Sequence, residues 1–135
     1  MRYVFPYKAD RTRTGKFIYR PAALVRVMAA NSFWHLFRPY VDSGADLTLL
    51  KKSDCEDMGY DLTTGTLRLI GGISKTLLRT YVHQIPMRIG ETQFLCRVAF
   101  AEIDTVPRLL GRLDVFHQFR ICFEETKRET HFWLL

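Results

Sequence analysis

Apolar and polar residues alternate in short runs through most of the chain after residue 22, and turn residues separate the runs. The clearest example lies at residues 83–89 and 94–100, on either side of Gly90-Glu91. A period of two is typical of strands that bury one face, and a glycine-containing turn suits the connection between two such strands. The pattern predicts an antiparallel hairpin at residues 83–100.

A second hairpin is predicted at residues 22–29 and 33–41, with its turn at residues 30–32. Helical periodicity is brief and predicts only two short helices, Lys51 to Met58 and Leu113 to Phe119. The chain is therefore expected to be all-β. We expect a closed or nearly closed architecture with one or two short helices, because closure leaves few strand edges open to aggregation.

The length of 135 residues suits one compact domain. Residues 1–20 are polar and basic and are expected to form an N-terminal segment or tail, with a single domain at residues 21–135. No run approaches the ~18 consecutive apolar residues of a membrane-spanning helix, and the N-terminus lacks a secretory pattern. A cytoplasmic protein without membrane contact is therefore predicted.

The formal net charge of +6 is concentrated near the N-terminus, where residues 1–38 hold eight Lys or Arg against Asp10 alone. Such a segment could attract nucleic acid, an acidic substrate or an anionic surface, or it could be an ordinary solvated face. Basic and aromatic residues interleave between Tyr3 and Tyr19, which keeps nucleic acid as a secondary alternative.

The metal-ligating residue types are scattered. Three cysteines, an odd number, lie far apart, which favours buried free thiols over a disulfide framework or a zinc motif. The four histidines show no helical pair and no neighbouring Cys-X-X-Cys, so neither a metal nor a cofactor is predicted. These residues are Cys55, Cys96, Cys122, His35, His83, His117 and His131.

Candidate chemistry is concentrated in the loop that follows Val41. A strand that delivers Asp42 to a tight loop needs Gly44 for close backbone approach, while Ala45 keeps bulk out of the site and Ser43 can fix the loop by hydrogen bonding. Asp-Ser-Gly also occurs in ordinary turns, so this motif alone does not decide the function.

With its neighbours, this segment resembles the active-site loop of the retropepsin-like aspartic proteases, which reads Asp-Thr/Ser-Gly-Ala. Residues 69–73, Leu-Ile-Gly-Gly-Ile, lie where that family carries its glycine-rich flap. Residues 106–114 resemble its second signature, two apolar residues followed by Gly-Arg. The three motifs occur in the family's order between about residues 22 and 123.

The resemblance implies a barrel-like β protomer with a short helix near the C-terminus, which pairs into a symmetric homodimer. Asp42 of each copy would then form a dyad. Two adjacent carboxylates cannot both ionise easily, so they share a proton, and the charged member activates water against a peptide bond. The implied function is an aspartic endopeptidase that acts on a peptide or protein substrate without a cofactor.

The resemblance also assigns roles. Ser43 would bond across the dimer axis, Gly44 would contact the substrate backbone, and Asp46 and Arg112 would pair beneath the site. The flap would close over an extended peptide, and the second signature would support the loop. The flap residues are Ile70, Gly71, Gly72 and Ile73, and the residues of the second signature are Leu109, Leu110 and Gly111.

Two departures keep an alternative open. Arg38-Pro39-Tyr40 makes the strand before Asp42 more polar than the family pattern, and Ser74-Lys75-Thr76 replaces a richer-glycine flap. The alternative is a catalytically weak or inactive peptide-binding or dimerisation module, which could carry a basic arm for nucleic acid. The apolar C-terminus, residues 130–135, could be a dimerisation strand or a core strand of its own protomer.

Overall fold

The computed structural model describes residues 1–72 and 76–135. Strands predominate among these residues, with one short α-helix and one 3₁₀ turn. In chain order the elements are β1 (Arg2–Pro6), β2 (Lys8–Arg11), β3 (Phe17–Arg20), β4 (Val25–Met28), β5 (Trp34–Phe37), β6 (Tyr40–Val41), β7 (Thr48–Leu50), α1 (Lys52–Asp57), the 3₁₀ turn (Leu62–Thr64), β8 (Thr66–Gly71), β9 (Leu77–Ile89), β10 (Thr92–Ala101), β11 (Leu109–Leu110), β12 (Phe119–Glu124) and β13 (Glu129–Leu134).

The main sheet is centred on the predicted hairpin. Strands β9 and β10 pair antiparallel from Thr92 opposite Ile89 to Ala101 opposite Thr80, and Gly90 turns the chain with a φ of +58°. The order across the sheet is β5-β4-β9-β10-β7-β11-β6, with β8 added on β9. The all-β prediction and this hairpin are confirmed.

The hairpin at residues 22–41 also forms, with β4 antiparallel to β5 and Ser32 in the left-handed region at its turn. Helix α1 forms where Lys51–Met58 predicted it. The helix predicted at Leu113–Phe119 is wrong, because residues 113–118 form turns and β12 begins at Phe119. Asp114 has a φ of +69°, which a right-handed helix cannot contain.

A separate three-stranded sheet, which we call the terminal sheet, joins the two ends of the chain in the order β1-β13-β12. Residues 2–6 therefore pair with the C-terminal strand, although the sequence suggested a separate basic segment. Because β13 has a neighbour from its own chain on both sides, it is a core strand of its own protomer. Strands β2 and β3 form a two-stranded hairpin.

The larger apolar core lies between the main and terminal sheets and contains Phe100, Phe119 and Phe132, each almost fully buried. A smaller cluster of Leu47, Leu49, Ala99 and Ala101 lies under the loop that carries Asp42, as expected for a loop mounted on a rigid scaffold. No helix among the described residues is long and apolar enough to cross a membrane. All three cysteines are free thiols, and Cys55 and Cys96 are buried.

Candidate active site

Strand β6, at one end of the main sheet, leads directly into Asp42. Its two residues pair in parallel with β11, so that Val41 lies opposite Leu110. On the other side, Val41 donates its N–H to the carbonyl of Pro21 at 3.0 Å. The N–H of Asp42 in turn donates to the carbonyl of Leu110 at 3.0 Å. The second signature thus fixes the backbone at the base of the Asp42 loop.

The loop itself is short and internally bonded. The N–H of Gly44 donates to Oδ1 of Asp42 at 2.8 Å, and the N–H of Ala45 donates to the carbonyl of Asp42 at 3.3 Å. Asp42 is half-buried, whereas Ser43 and Gly44 are exposed. A donor aimed at one carboxylate oxygen fixes the side chain and leaves the other oxygen available for chemistry.

Gly111 holds the loop against β7. A Cβ at this position would lie 2.4 Å from the backbone carbon and oxygen of Leu47, so only glycine permits the approach. The N–H of Gly111 donates to the buried hydroxyl of Thr48 at 3.2 Å. Thr48 is a supporting residue that the sequence reasoning missed. Its only signal was a hydroxyl in an otherwise apolar strand of three residues.

A pocket of about 900 Å³ opens beside Asp42. This volume is within the range of small-ligand and peptide-accepting clefts. Apolar side chains from the loop, β7, β8, β9, β11 and the segment before β11 form most of its lining. They include Leu47, Leu49, Leu69, Ile70, Leu77, Leu78, Val106 and Leu109. The cleft is suited to hold an extended segment with apolar side chains against the Asp42 carboxylate.

The three carboxylates that line this pocket have different partners. Asp46 lies 3.4 Å from Nη1 of Arg112, and Glu102 accepts a hydrogen bond from Nε of Arg79 at 2.8 Å. Among the described residues, no Lys or Arg nitrogen lies within the 4.0 Å of a salt bridge from Asp42. Asp42 is therefore the carboxylate in the pocket that no cation among the described residues neutralises.

Asp46 and Arg112 come together as the resemblance implied, but both side chains are exposed, at 64% and 56%. A stronger pair lies nearby and was missed from the sequence. Arg108 donates from Nε and Nη2 to the two carboxylate oxygens of Asp54 at 2.8 and 2.9 Å, and Asp54 is only 6% exposed. The hydrogen bonds that Arg108 donates to Asp54 raise the pKa of Arg108. This pair ties helix α1 to the second signature.

Residues of β8 and β9 line one side of the pocket. Gly71 is the last residue of β8 and lies opposite Leu77, and both residues line the pocket together with Ile70 and Gly72. Ile73, which the sequence reasoning placed in the same group, lies outside the described residues. Within the described part of the chain, β8 pairs only with β9, so its other edge presents free backbone groups. Such an edge can accept an extended peptide as an added strand.

Of the remaining predicted residues, Ala45 lines the pocket and Ser43 lies exposed at the tip of the loop. Several basic residues of the N-terminal region contact aromatic rings of the same chain. Lys8 Nζ lies 5.1 Å from the ring centre of Tyr40, and the guanidinium of Arg11 lies 5.4 Å from that of Phe17. These charges thus make cation–π contacts within their own chain.

Comparisons with known proteins give matches both in sequence and in fold. No protein-family model matches the chain. The UBA domain-containing protein Mud1 of Schizosaccharomyces pombe is 30% identical over 92 residues, which are 67% of this chain and 27% of that protein. The DNA damage-inducible protein 1 of Yarrowia lipolytica is 30% identical over 88 residues, which are 64% of this chain and 22% of that protein. The chain spans about a quarter of the length of these curated relatives.

Among solved structures, a retropepsin-like aspartic protease from Rickettsia conorii has a similar fold, with a TM-score of 0.59 at 22% identity. The match covers 98% of this chain and 92% of that one. The chain therefore has the fold of the retropepsin-like aspartic proteases, as its three motifs predicted.

Proposed function

We propose that the chain is an aspartic endopeptidase that acts as a homodimer, with Asp42 of each copy forming the catalytic dyad. The observation that carries this proposal is Asp42 itself, a half-buried carboxylate without a cation partner among the described residues, beside a largely apolar pocket. One chain supplies one such carboxylate. A two-fold axis near the exposed Ser43 and Gly44 would supply the second.

In this mechanism the two Asp42 carboxylates share one proton. The charged member takes a proton from a water between them as that water attacks the peptide carbonyl, and the protonated member donates to the carbonyl oxygen. The Gly44 N–H bond to Oδ1 orients each carboxylate. Ser43, exposed at the loop tip, would bond to the partner's loop. No metal or cofactor takes part.

Substrate would bind as an extended strand along the free edge of β8. Ile70, Gly71 and Gly72 from this hairpin would cover the peptide, with Ile73 as a further contact. Apolar side chains of the peptide would enter the pocket lined by Leu47 and Leu109. Exclusion of water by the covering hairpin would strengthen the electrostatic interactions at the dyad.

The test compares the wild-type chain with Asp42→Asn in cleavage of a diverse peptide library between about pH 3 and pH 8, where a coupled carboxylate pair changes its protonation. Loss of the general base is expected to lower kcat/KM by about 10²–10⁴-fold or more, with the fold retained. Asp57→Asn, at an exposed carboxylate outside the pocket, is the matched control. Undiminished cleavage by Asp42→Asn would contradict the mechanism.

A mixing experiment tests whether the dyad forms between two chains. Equal amounts of wild-type and Asp42→Asn chains that exchange freely leave about one quarter of the dimers with two intact Asp42 residues. Total activity should then fall to about half of that of the unmixed wild-type, because only half of the wild-type chains find a wild-type partner. Activity that stays unchanged on mixing contradicts a shared site.

The open edge of β8 above an apolar pocket also favours a second function, peptide binding without cleavage. A chain of this kind would bind library peptides equally well with Asp42 or Asn at position 42. Calorimetry measures the binding, and detection of new peptide termini distinguishes the two functions, because only the peptidase cleaves a bound peptide.

A further inference from the structure

Three potential metal ligands lie together on one face of the terminal sheet, outside the residues that line the pocket. Glu124 and Glu129 are direct partners across the β12–β13 hairpin, and His131 follows two residues further along β13 on the same face. His131 Nε2 lies 3.5 Å from Oε2 of Glu124 and 3.4 Å from Oε1 of Glu129. The ligand atoms of all three lie within 4.8 Å of one another.

The histidine is buried and lacks a hydrogen-bonding partner. Its side chain is only 9% exposed, and among the described residues neither ring nitrogen makes a hydrogen bond. Oε2 of Glu124 is also buried and makes none. The distances to the carboxylates exceed the range of about 2.7–3.2 Å of an N–H···O bond. Buried polar groups are normally satisfied, so this cluster needs a further partner.

Packing fixes the imidazole in place. His131 stacks on Trp133 with ring centres 5.4 Å apart and planes 26° apart. The residues paired with it on the two flanking strands are Val4 of β1 and Cys122 of β12. The ring is therefore pre-positioned with Nε2 directed at the two carboxylates, rather than free to turn toward solvent.

The observed separations fit a coordinated ion. Ligand atoms about 2.0–2.2 Å from a tetrahedral ion lie about 3.3–3.6 Å from one another. The two nitrogen-to-oxygen distances, 3.4 and 3.5 Å, fall within this range. A divalent ion between the three groups would satisfy Nε2 and neutralise two carboxylates at once.

We propose that Glu124, Glu129 and His131 bind one divalent transition-metal ion of the zinc type, with solvent in the remaining position. The imidazole favours zinc over calcium or magnesium, which prefer ligand sets made only of oxygen. Bound there, the ion fastens β12 to β13. It thereby stabilises the strand at the centre of the terminal sheet, independently of any catalysis at Asp42.

Lys127, in the turn between β12 and β13, would compete with the metal ion for the carboxylate of Glu124. Its Nζ lies 3.5 Å from the same Oε2 of Glu124, and its side chain is 66% exposed. The ion must displace this ammonium group or share the oxygen with it. Removal of the lysine charge is therefore expected to tighten metal binding, whereas removal of either carboxylate charge weakens it.

The test uses the full chain without an affinity tag, freed of metal by a chelator and titrated with Zn²⁺ by calorimetry near neutral pH. One ion per chain is expected at micromolar affinity or better, with a rise in Tm because the ion binds the folded state. Mg²⁺ and Ca²⁺ at the same concentration should not reproduce this rise.

Glu129→Gln keeps the shape of a half-exposed side chain and should weaken Zn²⁺ binding by at least about tenfold, as should Glu124→Gln. Glu56→Gln, at an exposed site on α1, is the matched control and should bind like the wild-type. Lys127→Met should bind more tightly. Failure of the wild-type chain to bind Zn²⁺ in the micromolar range overturns the proposal, and so does unchanged affinity in both glutamine variants at positions 124 and 129.

Discussion

The Asp42 loop and the terminal sheet are stabilised in different ways. The loop is half-exposed and is fixed by individual polar contacts, such as the Gly44 N–H to its own Asp42 and the Gly111 N–H to Thr48. The terminal sheet instead buries aromatic rings. Phe132 packs edge-on against both Phe5 and Phe119, with ring centres 5.5 Å apart in each pair.

Because of this difference, substitutions in the two regions should affect different properties, stability in one and activity in the other. Loss of a buried ring removes apolar contacts from the whole domain, so it should lower global stability wherever the ring lies. Loss of a contact around the Asp42 loop removes few apolar contacts but moves the carboxylate, so it should affect activity more than stability. Functional residues are often carried in this way, on short loops held by a rigid scaffold.

The largest expected effect is on the terminal sheet. Phe132→Ala should lower the free energy of unfolding by about 3–5 kcal/mol, because a fully buried aromatic side chain leaves a cavity. Chemical denaturation followed by tryptophan fluorescence measures this loss. Leu135→Ala removes an apolar side chain that is 70% exposed and should change stability little. Equal effects of the two would contradict the assignment of β13 to the core.

The next effect tests the close approach beneath the loop. Gly111→Ala would place a Cβ 2.4 Å from the backbone of Leu47 and should destabilise the chain by about 1–3 kcal/mol, with a proportionally larger loss of peptide cleavage. At Gly72 a Cβ meets no atom of the described residues within 4 Å, so Gly72→Ala should leave stability unchanged. A wild-type Tm in Gly111→Ala would show that the backbone can move apart without strain.

The two arginines of the second signature should differ in their contributions. Arg108→Met leaves the buried Asp54 carboxylate without its bidentate partner and should lower stability by about 1.5–3 kcal/mol. Arg112→Met removes an exposed contact at 3.4 Å and should lower it by no more than about 1 kcal/mol. Denaturation of the two variants side by side decides the order. A reversed order would mean that the Asp46 pair is the structural one.

The smallest effect concerns acid stability. Hydrogen bonds from Arg97 lower the pKa of Asp114 in the folded chain. A lowered folded pKa gives stability that is present above the unfolded pKa of about 3.9 and is lost as pH falls through the folded value. Asp114→Asn should therefore flatten the fall in stability below about pH 4, by less than about 1 kcal/mol. Thermal denaturation across acid pH measures this, and a steeper fall in the variant would contradict it.

Local patterns in the sequence predicted the structure correctly where residues adjacent along the chain determine it. The β9–β10 hairpin follows from alternation around Gly90, and α1 follows from a polar start and a glycine stop. The helix predicted at Leu113–Phe119 failed because Asp114 adopts a positive φ, and its carboxylate accepts bonds from Arg97 on a distant strand. Apolar spacing alone contains no information about such a long-range contact.

The sequence by itself determined the β character of the chain and its three ordered motifs. It also placed Asp42 in a tight loop, since these features depend on residues adjacent along the chain. Only the tertiary structure showed that Arg108 holds Asp54 and that β1 covers one edge of β13. It also brought Glu124, Glu129 and His131 together. Strand register and the packing of distant segments decide these contacts, and both depend on the whole chain.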